Sequence, residues 1–131
     1  MKKSNFQFFN PYLTELQFQT NPTFNGSGSN TDIEAAFQLH IKKSKEQNAA
    51  NVELELNANI EKEEVPFKLI AKVAADFRWE DLDDKAVDAM LRLNAPALLL
   101  GYMRPIVANI TNSSAFPVYN LPFMDFRSFS E

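Results

Sequence analysis

Residues 52–79, VELELNANIEKEEVPFKLIAKVAADFRW, decide the fold. Val52, Leu54, Leu56, Ala58 and Ile60 alternate with Glu53, Glu55, Asn57, Asn59 and Glu61. A period of two sends the first set to one side of an extended chain and the second to the other. Residues 52–60 therefore read as a strand with one buried and one wet face. Glu61 to Pro66 forms a charged turn. Phe67, Leu69, Ala71, Val73, Ala75, Phe77 and Trp79 resume the same period, which predicts a strand over 67–79. A short connection makes these two strands antiparallel neighbours.

Towards the N-terminus the pattern repeats. In 32–43, Ile33, Ala35, Phe37, Leu39 and Ile41 share one face, and Glu34, Gln38, His40 and Lys42 share the other. Lys43 to Asn51 is polar and turn-like, and 21–31, NPTFNGSGSNT, is a loop rich in turn residues. Residues 5–20 hold a first strand from Phe6 to Phe18, with an irregularity at Asn10-Pro11. There Glu15, Gln17 and Gln19 alternate with Leu16 and Phe18, as in a sheet with one solvated face. Four strands in succession are most economically arranged as an antiparallel meander.

Towards the C-terminus the period changes at Glu80. Glu80, Asp81, Asp83 and Asp84 crowd the start of a helix, where negative charge meets the positive end of the helix dipole. Ala86, Met90 and Leu93 mark its apolar stripe. Pro96 lacks a donor and restricts its predecessor, which predicts a break and a second helix over 96–112. That helix carries Leu99, Tyr102, Met103, Ile106, Val107 and Ile110 at helical spacing. Pro105 within it opposes the carbonyl of Gly101, a pairing that predicts a kink. Ser113-Ser114-Ala115-Phe116-Pro117 ends the helix, and Phe116, Tyr119, Leu121, Phe123 and Phe126 follow on a non-helical segment. Strands first and helices last imply an α+β domain, residues 1–131, with C-terminal helices packed on one face of a four-stranded antiparallel sheet.

Composition narrows the function. The chain has 131 residues, long enough for a core without staples, and no cysteine, so disulfides and thiolate metal sites are excluded. A net charge of −4 argues against nucleic acid, whose phosphates demand clustered cations. No stretch approaches the twenty apolar residues of a membrane span. Met1-Lys2-Lys3-Ser4 is basic, but no apolar run of signal-peptide length follows, so a cytoplasmic location is expected. Phenylalanine is over-used at 12 residues. Aromatics concentrate at the two chain ends, which must therefore pack onto the body of the fold or onto another chain.

The run Pro96, Leu99, Tyr102, Arg104, Ile110, Phe116-Pro117, Asn120-Leu121 and Phe126 resembles the SecB-like protein-export chaperones. The resemblance is good over about the last forty residues and loose upstream, where it is a pattern of strands and loops. It implies the same α+β architecture, a homotetramer or homodimer built through an edge strand and helix 96–112, and unfolded client proteins as partners. It also implies a divergent member with a shortened C-terminus, since members of the well-studied type continue into a second helix and a mobile tail that help bind the export motor ATPase. Their other motor contact is an acidic patch on the exposed sheet. Glu15 falls at one position of that patch, whereas nearby matching positions hold Gln19, Lys68 and Ile70.

Candidate sites follow. An aromatic and aliphatic groove between helix and sheet, lined by Tyr102, Phe116, Tyr119, Leu121 and Phe123, would take extended apolar segments of a client. Glu53, Glu55 and Glu61, with Glu15, form a candidate acidic docking face for a basic partner, although solvation alone also explains such residues. Arg104, on a largely apolar helix, pairs with a carboxylate or stacks on an aromatic ring. His40 is read as a lone surface histidine without an orienting partner, so no catalytic residue is assigned. The acidic run 80–84 lacks the alternating ligands and central glycine of a calcium loop, and no metal is assigned. Gly26-Ser27-Gly28 lacks the lysine of a phosphate cradle. Asn25, Asn109 and Asn112 open chance glycosylation triplets, and Ser113 and Ser114 form a helix terminus. No cofactor motif is present. The apolar groove residues point to binding, and the resemblance implies an ATP-independent holdase for unfolded or partly folded clients bound for export. Three alternatives stay open: an interaction module of the same fold serving one dedicated partner, regulatory or toxin–antitoxin in type; a small-molecule binder; and an enzyme.

Overall fold

Four strands and one helical run follow each other in the computed structural model, which describes residues 1–24 and 33–129. Asn25 and Gly26-Ser27-Gly28 lie outside the described residues. The strands are β1 (Phe6–Thr20), β2 (Ala35–Ser44), β3 (Ala49–Ala58) and β4 (Phe67–Trp79). They form one antiparallel sheet in the order β1-β4-β3-β2. The meander is thus half right. β2, β3 and β4 follow one another through short connections, but β1 pairs with β4 at the far edge. The long connection 21–34 does not force its flanking strands into a hairpin, and it leaves β1 free to pair with β4, a strand of similar length.

β1 carries the irregularity expected at Asn10-Pro11: its register with β4 shifts between Phe9 and Tyr12, and Asn10 takes φ 50°. Proline has no ladder donor, and asparagine tolerates the left-handed conformation, so an edge-strand bulge suits both. A second shift, between Leu13 and Glu15, had no signal in the sequence.

β3 ends at Ala58, two residues short of the expected end, because Asn59 turns the chain with φ 62°. Its buried amide is hydrogen-bonded at both ends. Oδ1 accepts from the Glu34 N–H at 3.0 Å, and Nδ2 donates to the Phe67 carbonyl at 3.1 Å. Glu61 consequently sits in the exposed turn beyond β3 and does not line the sheet face with Glu53 and Glu55, contrary to the strand reading.

The helical run is unbroken from Asp84 to Asn112. It comprises α1 (Asp84–Ala89), a π turn (Met90–Asn94) and α2 (Ala95–Asn112). Asp83 caps α1 by accepting from the Ala86 N–H at 2.7 Å. The predicted break at Pro96 is absent. The backbone widens by one residue just before it, with the Ala95 N–H reaching the Met90 carbonyl, and so absorbs the proline without ending the helix. α2 also continues through Pro105.

α2 lies across β3 and β4 on one side of the sheet. Leu99, Leu100, Met103 and Val107 of α2 meet Val52, Leu54 and Leu56 of β3 and Leu69, Val73 and Phe77 of β4 in one buried cluster. On β1, Leu13 opposite Val73 and Leu16 opposite Ala71 face the same side but remain 44% and 36% exposed.

Candidate functional site

After α2 the chain reverses and runs back over the core as a tail. Ser113 and Ser114 end the helix as expected, donating to the Asn109 carbonyl at 2.9 Å and the Thr111 carbonyl at 2.6 Å. Residues 117–125 have no regular structure, and a short 3₁₀ turn, Phe126–Ser128, follows. Side chains fix this tail. Leu121 and Phe126 enter the core, and Tyr119 packs tilted against Phe67 with ring centroids 6.4 Å apart. Burial pushes the Tyr119 phenol above its usual pKa. Phe116 meets Phe24 edge-on at 6.0 Å, and Phe126 meets Phe37 of β2 edge-on at 6.5 Å.

Hydrogen bonds to the tail backbone come from α2. Arg104 Nε donates to the Leu121 carbonyl at 3.2 Å, and Nη2 donates to the Pro122 carbonyl at 2.9 Å. Its guanidinium also lies 5.3 Å from the centroid of the Phe123 ring. Of the two partners foreseen for Arg104, it takes the aromatic ring, and it adds two carbonyls that the sequence did not reveal. Thr111 is a second residue missed. Fully buried, it donates to the Val107 carbonyl and accepts the Tyr119 N–H, both at 2.8 Å. A lone threonine in an apolar helical stripe gave no sign of this.

The five residues proposed for the groove are not gathered into one. Leu121 is buried, Phe116 and Tyr119 are half-buried, and Phe123 stands 96% exposed beneath Arg104. Tyr102, 42% exposed, turns the other way and meets Phe8 of β1, at the opposite edge of the sheet from Phe37. The tail and β1 flank α2 on two sides.

The outer sheet face is a network of paired charge. Glu15 of β1 lies 3.1 Å from Lys72 of β4, and Lys72 lies 3.9 Å from Glu55 of β3. Glu55 also meets His40 Nε2 at 3.0 Å and accepts from Asn57 at 2.8 Å. Glu53 accepts the Thr14 hydroxyl at 2.8 Å, and Gln17 donates to Glu15. His40 is therefore not alone, as the sequence reading had it. The Lys72 hydrogen bond holds Glu15 below its usual pKa, hydrogen bonding from Asn57 and then His40 does the same for Glu55, and Glu15 in turn raises Lys72. His40, Glu53 and Glu55 place one ligand atom each within 4.8 Å of one another, the set among the described residues best suited to a metal ion. Each of these side chains also has a hydrogen-bonding partner on this face. Among the described residues no helix is long and apolar enough to cross a membrane.

Known proteins share this architecture. A SecB-like chaperone of Mycobacterium tuberculosis, solved in complex with a ChAD peptide from an antitoxin, superposes with a TM-score of 0.74 at 16% identity, covering 92% of this chain and 91% of that one. The protein-export protein SecB of Anaplasma phagocytophilum is 30% identical over 103 residues, 74% of this chain and 65% of that protein. SecB of Dinoroseobacter shibae is 28% identical, and the match spans 57% of its length. The match to SecB of Ehrlichia ruminantium, at 25% identity, covers 92% of this chain and 76% of that protein. The chain thus spans less than two thirds of the length of the Anaplasma and Dinoroseobacter proteins. The SecB family, described as preprotein translocase subunit SecB, matches residues 1–130, and the chain belongs to that family.

Proposed function

We propose that the protein is an ATP-independent holdase that binds unfolded or partly folded clients in the cytoplasm and keeps them competent for export. The observation that carries this reading is the apolar surface left outside a complete core. Phe9, Tyr12, Leu13 and Leu16 on β1, Tyr102 on α2, and Val118, Phe123 and Met124 on the tail are all substantially exposed. Leu13 and Leu16 lie on the core side of β1, the strand that Tyr102 of α2 meets at Phe8, and apolar exposure of this kind on one side supports a binding surface. Their capture of clients needs no nucleotide, because burial of apolar area at about 25 cal/mol per Å² supplies the free energy and favours the unfolded form of the client. Tyr102, Phe116, Tyr119, Leu121 and Phe123 remain the proposed contacts, now on two sides of α2. The exposed apolar residues of β1 also support a homo-oligomer, a dimer or tetramer joined through this edge strand and α2.

Glu15, Glu53 and Glu55 are proposed to meet a basic partner, the export motor among the candidates, across the outer face. Lys72 partly neutralises that face, and Glu61 stands apart from it. A charge reversal confined to Glu53, which accepts the Thr14 hydroxyl and stands outside the Glu15–Lys72–Glu55 chain of close ion pairs, tests this role without dismantling that chain. Unchanged partner affinity in Glu53→Lys would remove the docking role.

A second reading, a module serving one dedicated protein, is supported by the antitoxin peptide bound to the mycobacterial relative. Titration of a permanently unfolded protein separates the two. A holdase binds it, and Tyr102→Ala weakens the binding. A dedicated module ignores it.

A further inference from the structure

The tail is itself the kind of segment a holdase binds: aromatic-rich, without regular structure, and lying on apolar surface. Its backbone has none of the ladder bonds that hold the strands. Between Ala115 and Met124, its backbone bonds to the body of the fold come from side chains, through Arg104 at Leu121 and Pro122 and through Thr111 at Tyr119. A segment held this way opens locally at less cost than a strand. Arg104 is placed to read it in two modes. Its fork holds two successive backbone carbonyls, which this irregular stretch of backbone turns towards one side, and its face holds one aromatic ring.

We infer that Arg104 is a client-binding residue that recognises a peptide without regular structure by two successive backbone carbonyls and a neighbouring aromatic side chain, and that the chain's own tail, around Leu121–Phe123, is the resident occupant that a client displaces. This rests on the holdase reading and adds to it a ligand chemistry and an intramolecular competitor; Leu121 and Phe123 then belong to the competitor, and Tyr102, Phe116 and Tyr119 stay as client contacts beside Arg104. A peptide that replaces the tail gains the same Arg104 contacts that the tail gives up. The apparent affinity of the site is then the intrinsic affinity reduced by the fraction of molecules whose tail is seated.

The test is a double-mutant cycle in the full chain, read by fluorescence anisotropy. The probe is a labelled synthetic peptide with the sequence of residues 115–129, AFPVYNLPFMDFRSF. Phe123→Ala weakens the tail but not the probe, and it removes a residue that is 96% exposed, so the fold stays intact. It should bind the probe about two- to fivefold tighter, the worth of an exposed cation–π contact. Leu121→Ala should bind it tighter still. Arg104→Ala alone weakens tail and probe alike and should leave affinity near wild type. Combined with Phe123→Ala, it should cancel the gain. Equal probe affinity in wild type, Phe123→Ala and Leu121→Ala would overturn the proposal, because the tail would not then hold the site. A gain in Phe123→Ala that survives Arg104→Ala would overturn the role of Arg104. If wild type also binds a denatured protein client, that failure leaves the holdase reading standing. If no form binds a denatured client, the holdase reading fails by itself, and with it the inference, whatever the probe does.

Discussion

Glu55 shows how one residue on a wet sheet face acquires several jobs. The period of two put it on the outer side of β3, but alternation cannot say which side chains stand across the sheet. Pairing does that: His40 of β2 comes within 3.0 Å and Lys72 of β4 within 3.9 Å. Its carboxyl is held below the ordinary value of 4.5, so the network contributes stability that is full above that pH and is lost as pH falls through the lowered value. Lys72, raised from 10.5, contributes below that pH and loses its share as pH rises above it. We expect urea unfolding of the wild type to weaken below about pH 4.5, with Glu55→Gln weakening less steeply over the same window. Parallel pH profiles for the two proteins would show that the network is electrostatically idle. Asp125 is held at about 2 by Arg127, a fully exposed pair whose loss at still lower pH should be without visible effect.

Elements were legible where a period ran through them and illegible where a long-range choice set them. All four strands followed from alternation, and the helix stripe followed from its three- and four-residue spacing. The strand order did not, because nothing local in β1 says whether β2 or β4 will pair with it. The π turn was hidden for a related reason. Pro96 predicts trouble in a helix, but either a break or a widened turn relieves it, and the buried Leu91 within the turn and Ala95 just after it favour the continuous run. The tail was the hardest element, since an aperiodic segment leaves its contacts to tertiary packing. Thr111→Val tests how that segment is tied down. Removing the hydroxyl leaves the Tyr119 N–H without its acceptor, which should cost about 1–3 kcal/mol and speed hydrogen exchange at that amide. Unchanged exchange there would mean that apolar packing alone holds the tail. At the other end of the helical run, Asp83→Ala should cost about 0.5–2 kcal/mol by loss of the cap, measured by chemical denaturation.

At the scale of the whole molecule, one face of the sheet builds the core and the other carries charge, and apolar residues remain exposed at β1, on α2 and on the tail. Leu99 stands at the centre of that core, fully buried, and Leu99→Ala should cost about 2–5 kcal/mol in unfolding free energy. Leu13→Lys with Leu16→Lys should lower the mass found by light scattering coupled to gel filtration, while the unfolding midpoint of the dissociated chain stays near that of the parent. An unchanged mass would remove β1 from the proposed oligomer interface. The decisive measurement is suppression of aggregation. A slow-folding client is unfolded chemically and diluted into buffer without ATP, in the presence or absence of the purified protein, and light scattering is followed. A holdase suppresses scattering at near-stoichiometric ratio, and Tyr102→Ala weakens the effect. Full scattering in the presence of folded protein would contradict general client binding and leave the dedicated module as the function of this fold.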